Sequence, residues 1–146
     1  MIKLSTKGRY ATRILVRLAM QKSDKPYRKQ EIAEAEGISA DYVEQILIRL
    51  KAAGLVASHR GARGGFSLIR DPVEVTVEEV LVATEGPLAL VTCAEEGCKR
   101  ETICVTQRVW RDAEAALLKV FSGTVIADLA KVATQLAESK SITYDI

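Results

Sequence analysis

The chain has 146 residues, 27% of them charged and 48% hydrophobic, with a formal net charge of +2. That length allows one domain, or a small domain with an appendage, around a core that needs no disulfide staples. No apolar run approaches the roughly 20 residues that span a bilayer, and Met1-Ile2-Lys3-Leu4 runs into polar Ser5-Thr6-Lys7 rather than a leader, so a cytoplasmic chain with no membrane partner is expected.

The small net charge conceals an asymmetry. Residues 1–70 carry 14 Lys or Arg against 6 Asp or Glu, whereas residues 71–146 carry 7 against 13. A basic first half suits a polyanionic partner such as DNA, and an acidic second half does not.

In chain order, residues 5–20 place Tyr10, Ala11, Ile14, Leu15, Leu18 and Ala19 at helical spacing, with Ser5 or Thr6 as N-cap. Ser23-Asp24-Lys25-Pro26 breaks the helix. A short helix over about Arg28–Glu36 buries Ile32 and Ala33 and stops at Gly37. Ser39 then caps a helix to about Ala53, with Tyr42, Val43, Ile46, Leu47 and Leu50 inward. This order is a helix-turn-helix. Leu55–Ser58 reads as a strand, His59–Gly65 as a glycine-rich turn and Phe66–Ile69 as the returning strand. A hairpin bearing Arg60 and Arg63 directly after a helix-turn-helix is a wing.

Asp71-Pro72 is a break, and Thr76-Val77-Glu78-Glu79 is a capping box that opens a helix to about Thr84. Residues 85–104 lack periodicity and read as a loop long enough to be functional. A long helix from near Val105 carries Val109, Ala113, Ala116, Leu117, Val120 and Phe121 in a stripe, with Trp110 beside it. It ends near Ser122-Gly123. Thr124 can cap a last helix with Val125, Leu129, Val132, Ala133 and Leu136, and residues from about Glu138 read as a loosely held tail. The expected fold is mainly α. Its domains are a winged helix-turn-helix over 1–84 (three helices plus a two-stranded wing), a cysteine loop over 85–104, a dimerisation helix and C-terminal helix over 105–137, and a tail over 138–146.

A recognition helix presents its N-terminal residues to base edges, here Ser39, Ala40, Asp41, Glu44 and Gln45. Gln45 can pair bidentately with adenine, and Glu44 can accept from cytosine. Glu44 reads equally well as a surface charge paired with a neighbouring Arg or Lys. Arg60 and Arg63 suit a minor groove. Lys7, Arg9 and Arg28 suit phosphates, although solvated surface is the simpler account of any one of them.

The three cysteines all fall in CAEEGCKRETIC, residues 93–104. In a reducing compartment such clustering suits a metal or redox site better than a disulfide, which would leave one thiol over. Structural zinc takes four ligands, and only three cysteines are present. Inert core thiols fit poorly beside Glu95, Glu96, Lys99, Arg100 and Glu101. An iron–sulfur cluster, which takes thiolates from irregular loops and tolerates a non-cysteine ligand, fits better.

KLSTKGRYA, GISADYVEQILIRLKAAGLVASHRGARGGFSL, TVEEVLVATEG and the cysteines followed by VWRDAEAALLKVF give the chain a family resemblance over about residues 2–135. It resembles the winged-helix iron–sulfur transcription regulators typified by the iron–sulfur cluster assembly regulator (IscR) and the nitric-oxide-sensing repressor (NsrR). The resemblance implies a homodimer joined through the long helix, with Trp110, Ala113, Leu117, Val120 and Phe121 offered to the partner copy. It implies DNA reading by Ser39, Asp41, Tyr42, Glu44 and Gln45, with Arg60 in the minor groove of a pseudo-palindromic duplex operator. It places Cys93, Cys98 and Cys104 on the ligands of a two-iron or four-iron cluster. Gln107 stands where the assembly regulators have a histidine ligand, and Gly8 where some nitric-oxide sensors have an acid. His59, the only histidine, sits at the wing. The fourth ligand therefore lies open among Gln107, water and an acid such as Glu101.

The expectation is a transcription regulator, read as a repressor, whose DNA affinity follows iron–sulfur status, redox state or nitric oxide. A cluster-free thiol or metal-responsive regulator and a protein-interaction module are the alternatives. No catalytic acid–base pair, nucleophile set or phosphate loop points to an enzyme.

Overall fold

The computed structural model describes residues 3–21, 25–91, 98–100 and 103–143. Helix α1 (Thr6–Ala19) opens on Ser5, whose hydroxyl accepts the Gly8 amide at 3.1 Å. Its buried positions Ala11, Ile14, Leu15 and Leu18 form one face, the spacing expected of an amphipathic helix. Helix α2 (Lys29–Glu36) follows, with the Arg28 amide donating to the Glu31 carboxylate at 2.8 Å. Gly37 then turns the chain at φ +66°, a conformation that suits glycine. Helix α3 (Ala40–Ala52) starts after Ser39, whose side chain accepts the Tyr42 amide, and buries Val43, Ile46, Leu47 and Leu50. Tyr42, expected inward, is only half-buried.

Strands β1 (Val56–His59) and β2 (Gly65–Leu68) pair antiparallel, from Val56 opposite Leu68 to His59 opposite Gly65. The wing is thus displaced by one residue from the expected spans, and Ile69 lies outside it, exposed. A contact with no local signal holds it to the body. The Tyr27 and Phe66 backbones exchange two hydrogen bonds, of 3.0 and 2.7 Å, and a Cβ on Gly65 would overlap the Tyr27 carbonyl.

A single 3-10 turn (Pro72–Glu74) leads to α4 (Val77–Glu85), whose capping box joins Thr76 and Glu79. Helix α5 (Gln107–Ser122) begins two residues later than expected, which leaves Val105 outside it. None of its residues is buried. Helix α6 (Ile126–Thr143) corrects the expectation at the C-terminus twice. It continues to Thr143, into the segment read as a tail. It also opens on Ile126 rather than on a Thr124 cap, since the Thr124 hydroxyl donates back to the Val120 carbonyl at 2.8 Å. The Ile126 amide donates to the Val75 carbonyl and the Val77 amide to Thr124, both at 2.9 Å. These bonds pin the start of α6 beside the start of α4. Helix α6 then packs on α1 and the 3-10 turn, and Ile126 joins Ile14, Leu15, Ile32, Leu47, Val75 and Val80 in the core.

One buried charge ties α1 to α2. The Glu36 side chain, 3% exposed, receives Arg17 Nε at 2.7 Å on one carboxylate oxygen. Arg13 Nε stands 2.6 Å from the other oxygen as an ion pair without hydrogen-bond alignment. A buried carboxylate is costly without partners. Here two guanidiniums from one helix hold the last turn of the next, immediately before the Gly37 turn.

Candidate nucleic-acid interface and cysteine loop

The exposed side of α3 carries Asp41, Glu44 and Gln45, with Ser39 at its head. Tyr42 stands edge-on to Tyr10 of α1, ring centroids 6.1 Å apart, and Arg13 lies over the Tyr10 ring at 5.2 Å. This stack fixes the N-terminal turn of α3 against α1. Glu44, 51% exposed, is paired: Lys29 Nζ donates to its Oε2 at 2.6 Å. That hydrogen bond to Glu44 raises the Lys29 pKa above the ordinary lysine value, against a smaller opposing effect of burial. The surface-pair account of Glu44 therefore has a named partner.

Arg60 and Arg63 are exposed in the wing turn. Arg28 reaches the same turn, where its Nη2 donates to the Ala62 carbonyl at 2.6 Å. Its guanidinium is therefore a strut for the wing, a role that does not follow from its position in sequence. Lys25, Arg28 and Arg63 line one cleft between α2 and the wing, and Arg28, Lys29 and the wing glycines line a second. The wing and the α2 start thus form one basic surface, which the Lys29–Glu44 pair joins to α3. Lys7 is half-buried in the first turn of α1, and Arg9 is exposed.

In the cysteine loop, Cys98 and Cys104 are free and half-buried. Cys93 and Glu101 lie outside the described residues. Among the described residues, no three His, Cys, Asp or Glu side chains converge as a metal set. The surroundings of Cys104 nevertheless favour a thiolate. The Thr106 hydroxyl, 3.4 Å from Sγ, lowers its pKa most, followed by the Thr106 and Gln107 amides, and Arg100 adds to this against a small effect of burial. The sulfur sits at the mouth of α5, where Thr106 makes no side-chain cap, and a helix N-terminus stabilises a thiolate. Cys104 thus has the chemistry an iron–sulfur centre takes, Cys98 is a second free thiol, and Gln107, half-buried, opens α5 just after Cys104. Gly8 itself offers no side chain as a ligand, and a Cβ there would displace the ends of the Glu85 and Leu81 side chains.

The loop before the cysteines is tethered to α5 by the Leu90 amide, which donates to the Glu114 carboxylate at 3.0 Å. Beyond that tether α5 presents Val109, Trp110, Leu117 and Val120 to solvent, Val120 at 61% exposure. Ala113 is half-buried. Phe121 turns back toward its own winged helix, lining a cleft of about 470 Å³ with Leu4, Tyr10, Leu81 and Leu129.

A helix-turn-helix followed by an arginine-bearing glycine wing defines a winged-helix DNA-binding protein. The chain belongs to the Rrf2 family, described as an iron-dependent transcriptional regulator, whose model matches residues 4–132. It is 36% identical over 135 residues to protein rrf2 of Nitratidesulfovibrio vulgaris, covering 91% of this chain and 90% of that one. Among solved structures it is similar to CymR, the global cysteine regulator of B. subtilis (TM-score 0.76, 35% identity, 90% of this chain and 98% of that one). It is likewise similar to T. potens IscR (TM-score 0.75, 33% identity, 90% and 88%). These relatives are regulators of transcription rather than enzymes, and no described helix is long and apolar enough to cross a membrane.

Proposed function

We propose that this protein is a dimeric transcription regulator whose affinity for duplex DNA is set by an iron–sulfur cluster held by Cys93, Cys98 and Cys104. One observation carries the reading: Cys104, in surroundings that favour its thiolate, stands directly before α5, the helix whose apolar row is left uncovered. When bound, the cluster would supply a redox-sensitive anchor with one iron open to a small molecule. The fourth ligand is Gln107, which opens α5 three residues past Cys104, water, or an acid such as Glu101.

The chain's own residues provide the rest of the switch. A group held by the cysteines just before α5 would constrain the approach to that helix, and the Leu90–Glu114 bond couples the preceding loop to it. Trp110, Leu117 and Val120 fit a second copy, so the position of α5 sets the separation of two α3 helices on a pseudo-palindromic site. On each half, Ser39, Asp41, Tyr42, Glu44 and Gln45 form the reading head. Arg60 and Arg63 enter the minor groove, and Lys7 and Arg28 lie near phosphates.

The experiment is anaerobic purification with a visible spectrum, iron and acid-labile sulfide per monomer, beside a Cys98→Ala variant. Iron and sulfide in cluster ratio, lost in the variant, are expected, and their ratio separates two-iron from four-iron forms. Colourless protein that resists reconstitution overturns the reading. A thiol switch is the second reading, favoured by the lowered Cys104 pKa and the likeness to a cysteine regulator. It predicts colourless protein whose DNA affinity changes on thiol oxidation.

A further inference from the structure

An acid on the outer face of a DNA-reading helix raises a physical problem. Unneutralised, the Glu44 carboxylate would approach two phosphate strands of the same sign, where repulsion is long-ranged. Lys29 resolves it at 2.6 Å. The Glu44 side chain is 51% exposed, against 27% for that of Lys29, so the carboxylate stays accessible while it is paired. The Lys29 backbone is anchored as well, because the two residues before it are both tied to the wing, Tyr27 through Phe66 and Arg28 through Ala62. The segment Tyr27-Arg28-Lys29 thereby joins the wing to the recognition helix. Lys29 occupies Oε2 and leaves Oε1 as the acceptor, oriented and with its charge offset.

We infer that Lys29 is a positioning residue for base recognition, acting through Glu44 so that this carboxylate accepts from the exocyclic amino group of a cytosine in the major groove. This rests on the reading of α3 as the DNA-reading helix. It assigns Lys29 a role distinct from that of a phosphate contact, which would add affinity without base preference.

The test uses the full chain and a random-sequence duplex library. The sequence enriched by the wild type is then titrated, with all its single-base variants, against Lys29→Met, Lys29→Arg, Glu44→Gln and the Lys29→Met/Glu44→Gln double variant. Each variant is first checked as folded by circular dichroism. Lys29→Met is expected to weaken binding to the enriched sequence by roughly 5- to 100-fold, the range of one base contact. It should lose discrimination at the same base pair as Glu44→Gln. The double variant should bind no worse than the weaker single one, since both changes remove one interaction, and Lys29→Arg should keep the preference. Two results overturn the inference. One is an unchanged base profile in Lys29→Met with a salt slope smaller by about one, the mark of a phosphate contact. The other is single losses that multiply in the double variant. A wild type that enriches no sequence and binds without salt dependence overturns the underlying reading of α3 instead.

Discussion

Arg70 and Glu79 show how one charged pair can bind three segments of this fold. The Arg70 guanidinium, just past the wing, donates to the Glu79 carboxylate at 2.7 Å and to the Glu74 carbonyl at 2.6 Å. Glu79 in turn accepts the Thr76 amide at 2.9 Å, closing the capping box of α4. Burial opposes ionisation of Glu79, but the hydrogen bonds from Thr76 and Arg70 outweigh it, so its carboxyl titrates below the ordinary range. The folded-state value therefore lies below the unfolded one. The associated stabilisation is present above the unfolded value, near pH 4.3, and is lost as pH falls through the folded one. Glu79→Gln should lower the unfolding free energy at pH 7 by about 1 kcal/mol or less, given an exposed pair, and by less at an acidic pH below the unfolded value. Urea titrations at the two pH values check this, and an equal loss at both would remove the charge from the account.

Among the elements, α6 is the one whose place could not be read from the chain. Its apolar residues recur at helical spacing, so its existence was legible, as was that of α1, α3 and α4 from their caps and stripes. What it packs against was not, because the Ile126–Val75 and Val77–Thr124 bonds join segments some fifty residues apart and leave no periodic trace. The same limit hid the Tyr27–Phe66 pairing, the strut from Arg28 to the wing and the partner of Glu44. By contrast, the helix-turn-helix, the wing and the exposed positions of α3 were legible, since turn chemistry and helix phase are local properties. The packing of α6 has an energetic consequence. Ile126 is fully buried in the core cluster of the winged helix, so Ile126→Ala should destabilise the whole winged helix by about 2–5 kcal/mol. Chemical denaturation should show this as a lower midpoint for a single transition. Early melting of α6 alone, with the remainder at wild-type stability, would contradict that placement.

For the molecule as a whole, charge and exposure segregate together. The basic N-terminal half carries the wing and the α3 head, and the acidic half carries α5, whose apolar row lies open. An exposed row of this kind marks an interaction site more often than an idle surface, and a second copy of α5 would cover it with an identical row under twofold symmetry. Placing a carboxylate in its middle tests the assembly and its link to DNA in one experiment. Val120 is 61% exposed, so Val120→Glu should leave the fold intact while burying two like charges at any symmetric α5 interface. Sedimentation should then give a monomer where the wild type gives a dimer. Because each copy contributes its own phosphate contacts, the slope of log affinity against log salt should fall by about half, with a large loss of affinity for a two-half-site duplex and a small one for a single half-site. A dimeric Val120→Glu with the wild-type slope would place the interface on another face and leave the α5 row to a different partner.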